Sequence, residues 1–194
     1  MKSLKKQISG FMVENSIIKD DDSEIISYGI DLFISSLVEL ISIFVISIFV
    51  GNLKETLFFF ISFIPLRIYA GGYHANTKIR CYIVSLVVYG MFTLLMKMVP
   101  ESYYVHVLSL ASFLSFVIIC SYAPIVHNNK SVNIQERKTY RKFSIVVFAI
   151  ESLVIFVLCL LKAGRIYAIS LSMGQMAEAC AVVISVIKKA FLRK

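Results

Sequence analysis

One long apolar run decides the fold: residues 28–50 read YGIDLFISSLVELISIFVISIFV. Its only charged side chains are Asp31 and Glu39, and it exceeds the ~20 apolar residues that a helix needs to cross a bilayer. The whole chain has the same character, since 58% of its 194 residues are hydrophobic, 16% are charged and the mean hydropathy is +0.81. A soluble globular fold is therefore excluded, and the lipid bilayer is the predicted solvent of the chain.

Five further apolar stretches follow, and together they predict an all-α, polytopic membrane protein with about six transmembrane helices. Residues 1–194 are predicted to form a single integral membrane domain. The spans are placed near residues 28–50, 53–69, 81–98, 103–123, 143–161 and 166–187. The second is the weakest, because Pro65 interrupts it and Arg67 lies near its end, so it is predicted to be a short span or a re-entrant segment. Its phenylalanines at 58–60 are predicted to face lipid.

The basic residues predict the orientation of the spans. Of the 20 Lys and Arg, four lie before the first span, three in the 67–80 connection, five in the 124–142 connection and four after the last span. The alternate connections hold the other four. Because Lys and Arg concentrate in cytoplasmic loops, this split predicts cytoplasmic N- and C-termini and an even number of spans. The net charge of +8 is interpreted as loop charge, and no nucleic-acid partner is expected.

The first 24 residues are polar, so no cleavable signal peptide is expected before the first span. Apolar side chains recur among them near the period of a helix, at Leu4, Ile8, Phe11, Met12 and Ile18. We therefore predict that residues 1–24 form an amphipathic segment on the cytoplasmic leaflet, with a frayed, solvated tail as the alternative.

The most informative polar segment is the connection between the second and third spans, RIYAGGYHANTKIRC at residues 67–81. Cysteine is the strongest side-chain nucleophile near neutral pH once it is ionised, and histidine is the usual base beside it. The cytosol keeps thiols reduced, so the predicted cytoplasmic face suits a reactive cysteine. His74 and Cys81 are therefore predicted to form a catalytic pair in a cytoplasmic loop over residues 67–80.

The spacing of this pair constrains the backbone. On one unbroken helix, His74 and Cys81 would lie about 10 Å apart along the axis, which is too far for proton transfer. The chain must fold back, and Gly71 and Gly72 permit such a turn.

The start of the third span also favours a reactive cysteine. Asn76 or Thr77 can cap this helix, which places Cys81 in its first turn or just beyond. The positive end of the helix dipole, with Lys78 and Arg80 nearby, then favours the thiolate form of Cys81.

The pattern R-x-x-x-x-G-x-H-x-x-x-x-x-x-C, filled by Arg67, Gly72, His74 and Cys81, resembles the accessory gene regulator protein B (AgrB) family of bacterial membrane cysteine endopeptidases in quorum sensing. The resemblance extends to the chain length, the polar N-terminal segment and the spans. It also covers the cytoplasmic stretch YAPIVHNNK at residues 122–130, although this chain has Ser131 where members often carry proline.

The resemblance implies that His74 and Cys81 are catalytic and that the arginine and glycine of the pattern are essential. It also implies a small AgrD-like propeptide as the substrate, with a central cysteine or serine and an acidic C-terminal tail. The enzyme would remove the tail, hold the new carboxyl end on Cys81 as a thioester and promote macrocyclisation to an autoinducing peptide. A location in the bacterial cell membrane and a homodimer are further implications.

Several supporting roles have alternatives. Arg67 is a candidate binder of the tail carboxylate or of the oxyanion, whereas plain snorkelling to headgroups is the competing interpretation. Backbone amides near Gly71 and Gly72 are candidates for an oxyanion hole, unless these residues serve only the turn. A third residue that orients His74 stays open. Its candidates are Asp31, Glu39, Asn76, Glu151 and Glu178.

The other cysteines, Cys120, Cys159 and Cys180, are predicted to be small packing residues, because no metal-ligand spacing or disulfide framework is visible. No HExxH, GxSxG, GxGxxG or P-loop pattern is present, so no metal and no cofactor are expected. A small transporter or channel is the alternative function. It would use Glu39, Glu151 and Glu178 to bind a cation, but it would not need the 67–81 segment.

Overall fold

The computed structural model of the chain describes residue 11 and residues 23–72, 77–125, 133–161 and 164–192. Six long helices make up this part of the chain, which contains no β-strand. They are α1 (Ser23–Val50), α2 (Leu53–Ala70), α3 (Lys78–Met98), α4 (Tyr104–Tyr122, after a 3₁₀ turn at Glu101–Tyr103), α5 (Ile134–Leu160) and α6 (Arg165–Leu192). The predicted all-α fold with six helical segments is therefore confirmed.

Five of these helices are long and apolar enough to cross a bilayer. The exception is α2, because Lys54, Glu55 and Arg67 place three charges in its 18 residues. Pro65 lies inside α2 and does not end it. The passage of α2 through the bilayer and the cytoplasmic placement of both termini remain predictions.

The predicted N-terminal segment at 1–24 and the predicted loop at 124–142 have different outcomes. The amphipathic segment at 1–24 lies outside the described residues, apart from Phe11, which is helical, and the first two residues of α1. The predicted loop at 124–142 is wrong over its second half, because α5 begins at Ile134 rather than at the apolar run near residue 143. The side chain of Glu136 accepts a hydrogen bond from the backbone N–H of Asn133 at 3.2 Å, which stabilises this polar helix start.

The chain divides into two compact units, Met1–Ile46 and Ser47–Lys194. The first holds most of α1. In the second, α6 packs against α2, α4 and α5. Two apolar clusters form the core of this second unit: Leu66, Ala70, Ile119, Ala123, Phe148 and Val182 in one, and Leu108, Ile155, Ala168 and Leu171 in the other.

The contact between α2 and α6 is close because α6 presents a glycine to it. A Cβ atom on Gly174 would lie 2.5 Å from the carbonyl oxygen of Phe59. Small residues allow membrane helices to approach in this way. The prediction that the phenylalanines at 58–60 face lipid is wrong for Phe59, which is buried. Phe58 stacks on Tyr167, with 4.6 Å between the ring centroids. Successive residues of a helix point about 100° apart, so three in a row cannot share one surface.

Candidate active site

The end of α2 is a turn that requires glycine. The backbone N–H of Gly71 donates to the carbonyl oxygen of Arg67 at 3.3 Å and closes the last turn of the helix. Gly71 then has a φ of 73° and Gly72 a φ of 140°, which are conformations that residues with a side chain rarely adopt. The chain therefore turns at the glycine pair, whereas the predicted approach of His74 to Cys81 lies outside the described residues.

This turn is bound to the segment that follows α4. The backbone N–H of Ile125 donates to the carbonyl oxygen of Ala70 at 2.8 Å, and Gly71 forms an isolated parallel bridge with Ile125. A Cβ atom on Gly71 would collide with the carbonyl oxygen of Ile125. Two connections that are distant in the sequence thus meet at the end of α2, a contact that neither connection predicts by its own sequence.

Arg67 lies in the last turn of α2 and faces α6 rather than the surface. Its Nη1 atom lies 3.4 Å from Oε2 of Glu178 and donates to the carbonyl oxygen of Gly71 at 3.3 Å. The side chain of Arg67 is 21% exposed, and that of Glu178 is fully buried. Because the guanidinium has a buried carboxylate partner, this arrangement differs from snorkelling towards headgroups.

Gly72 is buried directly against this ion pair. A Cβ atom on Gly72 would collide with Nη1 of Arg67 and would lie 3.1 Å from Oε1 of Glu178. Any side chain at position 72 must therefore displace the pair. Within the described part of the chain, Oε1 of Glu178 is buried and accepts no hydrogen bond.

Cys81 lies at the start of α3, as predicted. The side chain of Thr77 caps this helix by accepting a hydrogen bond from the backbone N–H of Arg80 at 3.3 Å. The backbone N–H of Cys81 donates to the carbonyl oxygen of Thr77 at 3.0 Å, which places Cys81 at the end of the first turn. Its side chain is partly exposed, so this thiol is accessible at the positive end of a helix.

His74 and Asn76 lie outside the described residues, as does the whole segment 73–76. The predicted pairing of His74 with Cys81 is therefore not tested by the geometry. The described residues on either side are Gly72, which lies against the ion pair, and Thr77, which caps α3.

The remaining cysteines differ in their surroundings. Cys159 packs against the second apolar cluster, and Cys120 is partly buried, in agreement with the predicted packing role. Cys180 is exposed on α6, so the prediction of a packing residue is wrong there. None of these three cysteines forms a disulfide.

The buried carboxylates have different partners. Glu178 pairs with Arg67, whereas Glu151 accepts hydrogen bonds from Ser62 Oγ at 2.7 Å and from Gln175 Nε2 at 3.4 Å. The described residues contain no group of three or more His, Cys, Asp or Glu side chains placed to hold a metal ion. The sequence predicted Glu178 only as one of several candidates for a third catalytic residue. It did not predict that Glu178 is the partner of Arg67. The only available signal was an acidic residue within an apolar run.

The fold and the site define a multispanning α-helical membrane protein with a candidate cysteine active site at the start of a helix. The chain belongs to the accessory gene regulator B family, whose sequence profile matches residues 5–187. Membership implies a role in the processing of a quorum-sensing peptide.

Three relatives illustrate the match. The chain is 34% identical to protein FsrB of Enterococcus faecalis over 36% of this chain and 29% of that protein. It is 25% identical to accessory gene regulator protein B of Staphylococcus carnosus over 68% of each chain. It is 30% identical to the protein of the same name from Staphylococcus intermedius over 49% of this chain and 50% of that one. No solved structure matches the chain.

Proposed function

We propose that this protein is a membrane cysteine endopeptidase that removes the C-terminal tail of a small AgrD-like propeptide and promotes its macrocyclisation. The observation that carries the proposal is the position of Cys81, a partly exposed thiol in the first turn of α3. The helix dipole favours the thiolate there, and the thiolate is the nucleophilic form. Membership of the accessory gene regulator B family supports the same function.

In the first step, the Cys81 thiolate attacks the carbonyl carbon of the peptide bond that joins the tail to the rest of the substrate. A carbon–sulfur bond forms, the carbon–nitrogen bond breaks, and protonated His74 gives its proton to the leaving amine. The tail departs with a new amino terminus. The remaining acyl group is held on Cys81 as a thioester.

In the second step, the internal cysteine or serine of the substrate attacks this thioester. His74, now neutral, accepts the proton of the attacking group, and Cys81 leaves as a thiolate. With an internal cysteine the product is a thiolactone, formed by exchange between two thioesters of similar free energy. The reaction needs no ATP.

Two further groups are candidates to support these steps. The guanidinium of Arg67 lies at the turn that leads to His74, where a cation can bind the substrate's tail carboxylate or stabilise the oxyanion. Of the two predicted oxyanion donors, the backbone N–H of Gly71 already donates to the carbonyl oxygen of Arg67, which leaves that of Gly72 as the candidate. The basic face predicted for the cytoplasmic side also attracts an acidic tail.

The active site is proposed to face the cytoplasm of a bacterial cell, on the basis of the uneven distribution of Lys and Arg. A homodimer is proposed only from the family resemblance. An accessibility reporter attached at Lys78 should give a cytoplasmic signal. An extracellular signal would place Cys81 away from the reducing cytosol and would contradict the mechanism.

The transporter alternative depends on intramembrane carboxylates that are available to a cation. Glu178 is paired with Arg67, and Glu151 accepts hydrogen bonds from two neutral side chains. The pairing weighs against transport at Glu178, because a paired carboxylate is a poor ligand for a transported ion, whereas Glu151 has no cationic partner among these contacts.

Co-expression with the candidate propeptide tests the function, with loss of the tail followed by mass spectrometry. We expect the unmodified enzyme to release the tail and Cys81→Ser to release none at equal levels of inserted protein. Cys159→Ala is the matched control, because it removes a thiol from a packed position on α5, and it should retain cleavage. Cleavage by the Cys81 variant together with loss in the Cys159 variant would overturn the assignment.

A further inference from the structure

The ion pair between Arg67 and Glu178 joins α2 to α6. The two paired residues are 111 positions apart in the sequence. Its Nη1–Oε2 distance is 3.4 Å, and the carboxylate has no exposed surface. A charge at such a position is costly without its partner, so removing either member leaves the other uncompensated. Glu178 therefore controls where the guanidinium can lie.

The ion pair contacts the glycine turn at Gly71 and Gly72, which precedes His74 in the sequence. Arg67 also donates to the carbonyl oxygen of Gly71, and Gly72 lies in contact with both charged side chains. The same cation thus contacts a carboxylate on α6 and the backbone at the end of α2. A shift of this cation would therefore break a hydrogen bond at the glycine turn.

We propose that Glu178 is a positioning residue of the peptidase, which holds the guanidinium of Arg67 at the glycine turn in the geometry needed to bind an anionic group of the substrate or of the transition state. This inference rests on the proposed function. Glu178 acts only through Arg67 and does not touch the substrate.

Glu151 provides the matched comparison. It is also a buried glutamate within an apolar helix of the second unit, but its partners are the neutral side chains of Ser62 and Gln175. If a buried carboxylate matters only for helix packing, Glu151 and Glu178 should behave alike when each is replaced by glutamine. If Glu178 positions Arg67, only its replacement should change the behaviour of that arginine.

The test is a double-mutant cycle on the rate of tail release, measured with purified enzyme in lipid vesicles and a synthetic propeptide. We expect Glu178→Gln to lower kcat/KM by about 10- to 100-fold, since misplacement of a binding group by about 1 Å has effects of this size. Arg67→Lys should also lower kcat/KM. It should do so through the same kinetic constant, kcat or KM, that Glu178→Gln changes. The double variant should be no slower than the slower single variant, because both changes remove one interaction.

The control cycle combines Glu151→Gln with Arg67→Lys. Here the effects should be independent, so the double variant should be slower than Arg67→Lys by the same factor that Glu151→Gln alone shows. Glu178→Asp keeps the charge on a shorter side chain, so it should insert normally and recover part of the activity. If Glu178→Gln does not accumulate in the membrane, the cycle is measured with Glu178→Asp.

The inference is overturned if the effects at positions 67 and 178 multiply, or if the Glu178 variants retain full activity. It is also overturned if Glu178 and Arg67 variants change different kinetic constants, which would indicate separate roles. Absence of tail release by the unmodified enzyme would instead overturn the proposed function, and this inference with it. Tail release with multiplying effects would overturn the inference alone.

Discussion

The two ends of α2 are held by different chemistry. At its start, the side-chain oxygen of Asn52 accepts a hydrogen bond from the hydroxyl of Tyr89 at 2.9 Å, and the hydroxyls of Thr56 and Tyr89 are 3.3 Å apart. At its end, Arg67 pairs with Glu178 and contacts the glycine turn. The first cluster is neutral and joins α2 to α3, whereas the second is charged and joins α2 to α6.

The difference indicates which end serves architecture and which serves chemistry. Neutral hydrogen bonds between membrane helices contribute about 0.6 kcal/mol each on average, enough to fasten helices without placing a charge in the protein. A buried ionisable pair is costly to desolvate and is expected mainly at functional sites. Changes at the end of α2 should therefore affect cleavage, and changes at its start should affect stability.

The largest effect is expected beyond the end of α2. His74→Ala should lower the rate of tail release by about 10²- to 10⁴-fold, the contribution typical of a general acid–base residue. The amount of inserted protein should not change. The rate is measured by mass spectrometry of the released tail, with His106→Ala, near the start of α4, as the control. Retained cleavage in the His74 variant would remove the base from the mechanism.

The next largest effect is expected at the glycine turn. Gly72→Ala should lower the cleavage rate by about 100-fold, because its Cβ atom must displace Arg67 from Glu178. Gly51→Ala is the matched control. Gly51 also has a positive φ, of 78°, but it lies before α2, and no atom lies within 4 Å of an added Cβ. Equal losses in both variants would mean that backbone strain, rather than displacement of the ion pair, explains the effect.

A smaller effect on cleavage is expected when the guanidinium of Arg67 is replaced by the ammonium group of lysine. Arg67→Lys keeps the charge but loses the planar fork of the guanidinium, and hydrogen bonds to charged groups contribute about 1.5 to 3 kcal/mol. We expect a loss of roughly 10-fold or more in kcat/KM. Lys54→Arg, at the start of α2, should be neutral in the same assay. Near wild-type activity of the Arg67 variant would contradict a role in anion binding and would favour an interfacial role for this side chain.

The smallest effect on cleavage is expected at the start of α2. Tyr89→Phe removes the hydroxyl that bonds Asn52 and should lower the free energy of unfolding by about 0.6 kcal/mol while cleavage is retained. Unfolding in mixed micelles measures the stability, and tail release measures the function. A large loss of cleavage with unchanged stability would reverse the roles assigned to the two ends.

Much of the fold could be predicted because the bilayer imposes a simple length rule on apolar runs. Six helical segments and the capped start of α3 follow from the sequence, since Thr77 precedes an apolar run and can cap it. The polar beginning of α5 was missed, because a helix can extend beyond its apolar part when a side chain such as Glu136 satisfies its first N–H groups.

The partner of Arg67 could not be predicted in the same way. Glu178 lies 111 residues away, and its direction depends on the rotation of α6, which packing against α2 determines. That packing depends in turn on Gly174, whose lack of a side chain allows the two backbones to approach. Long-range register of this kind is not encoded in the composition or period of either helix alone.

The central claim is that Cys81 carries the acyl group of the substrate, and intact-mass analysis of the enzyme tests it most directly. The substrate is a propeptide whose internal cysteine or serine is replaced by alanine, so that ring closure is blocked while attack by Cys81 is not. We predict about one equivalent of released tail, an adduct on Cys81 that accumulates, and slow hydrolysis to a linear product. Rapid multiple turnover to linear peptide, with no adduct on Cys81, would contradict the acyl-transfer mechanism.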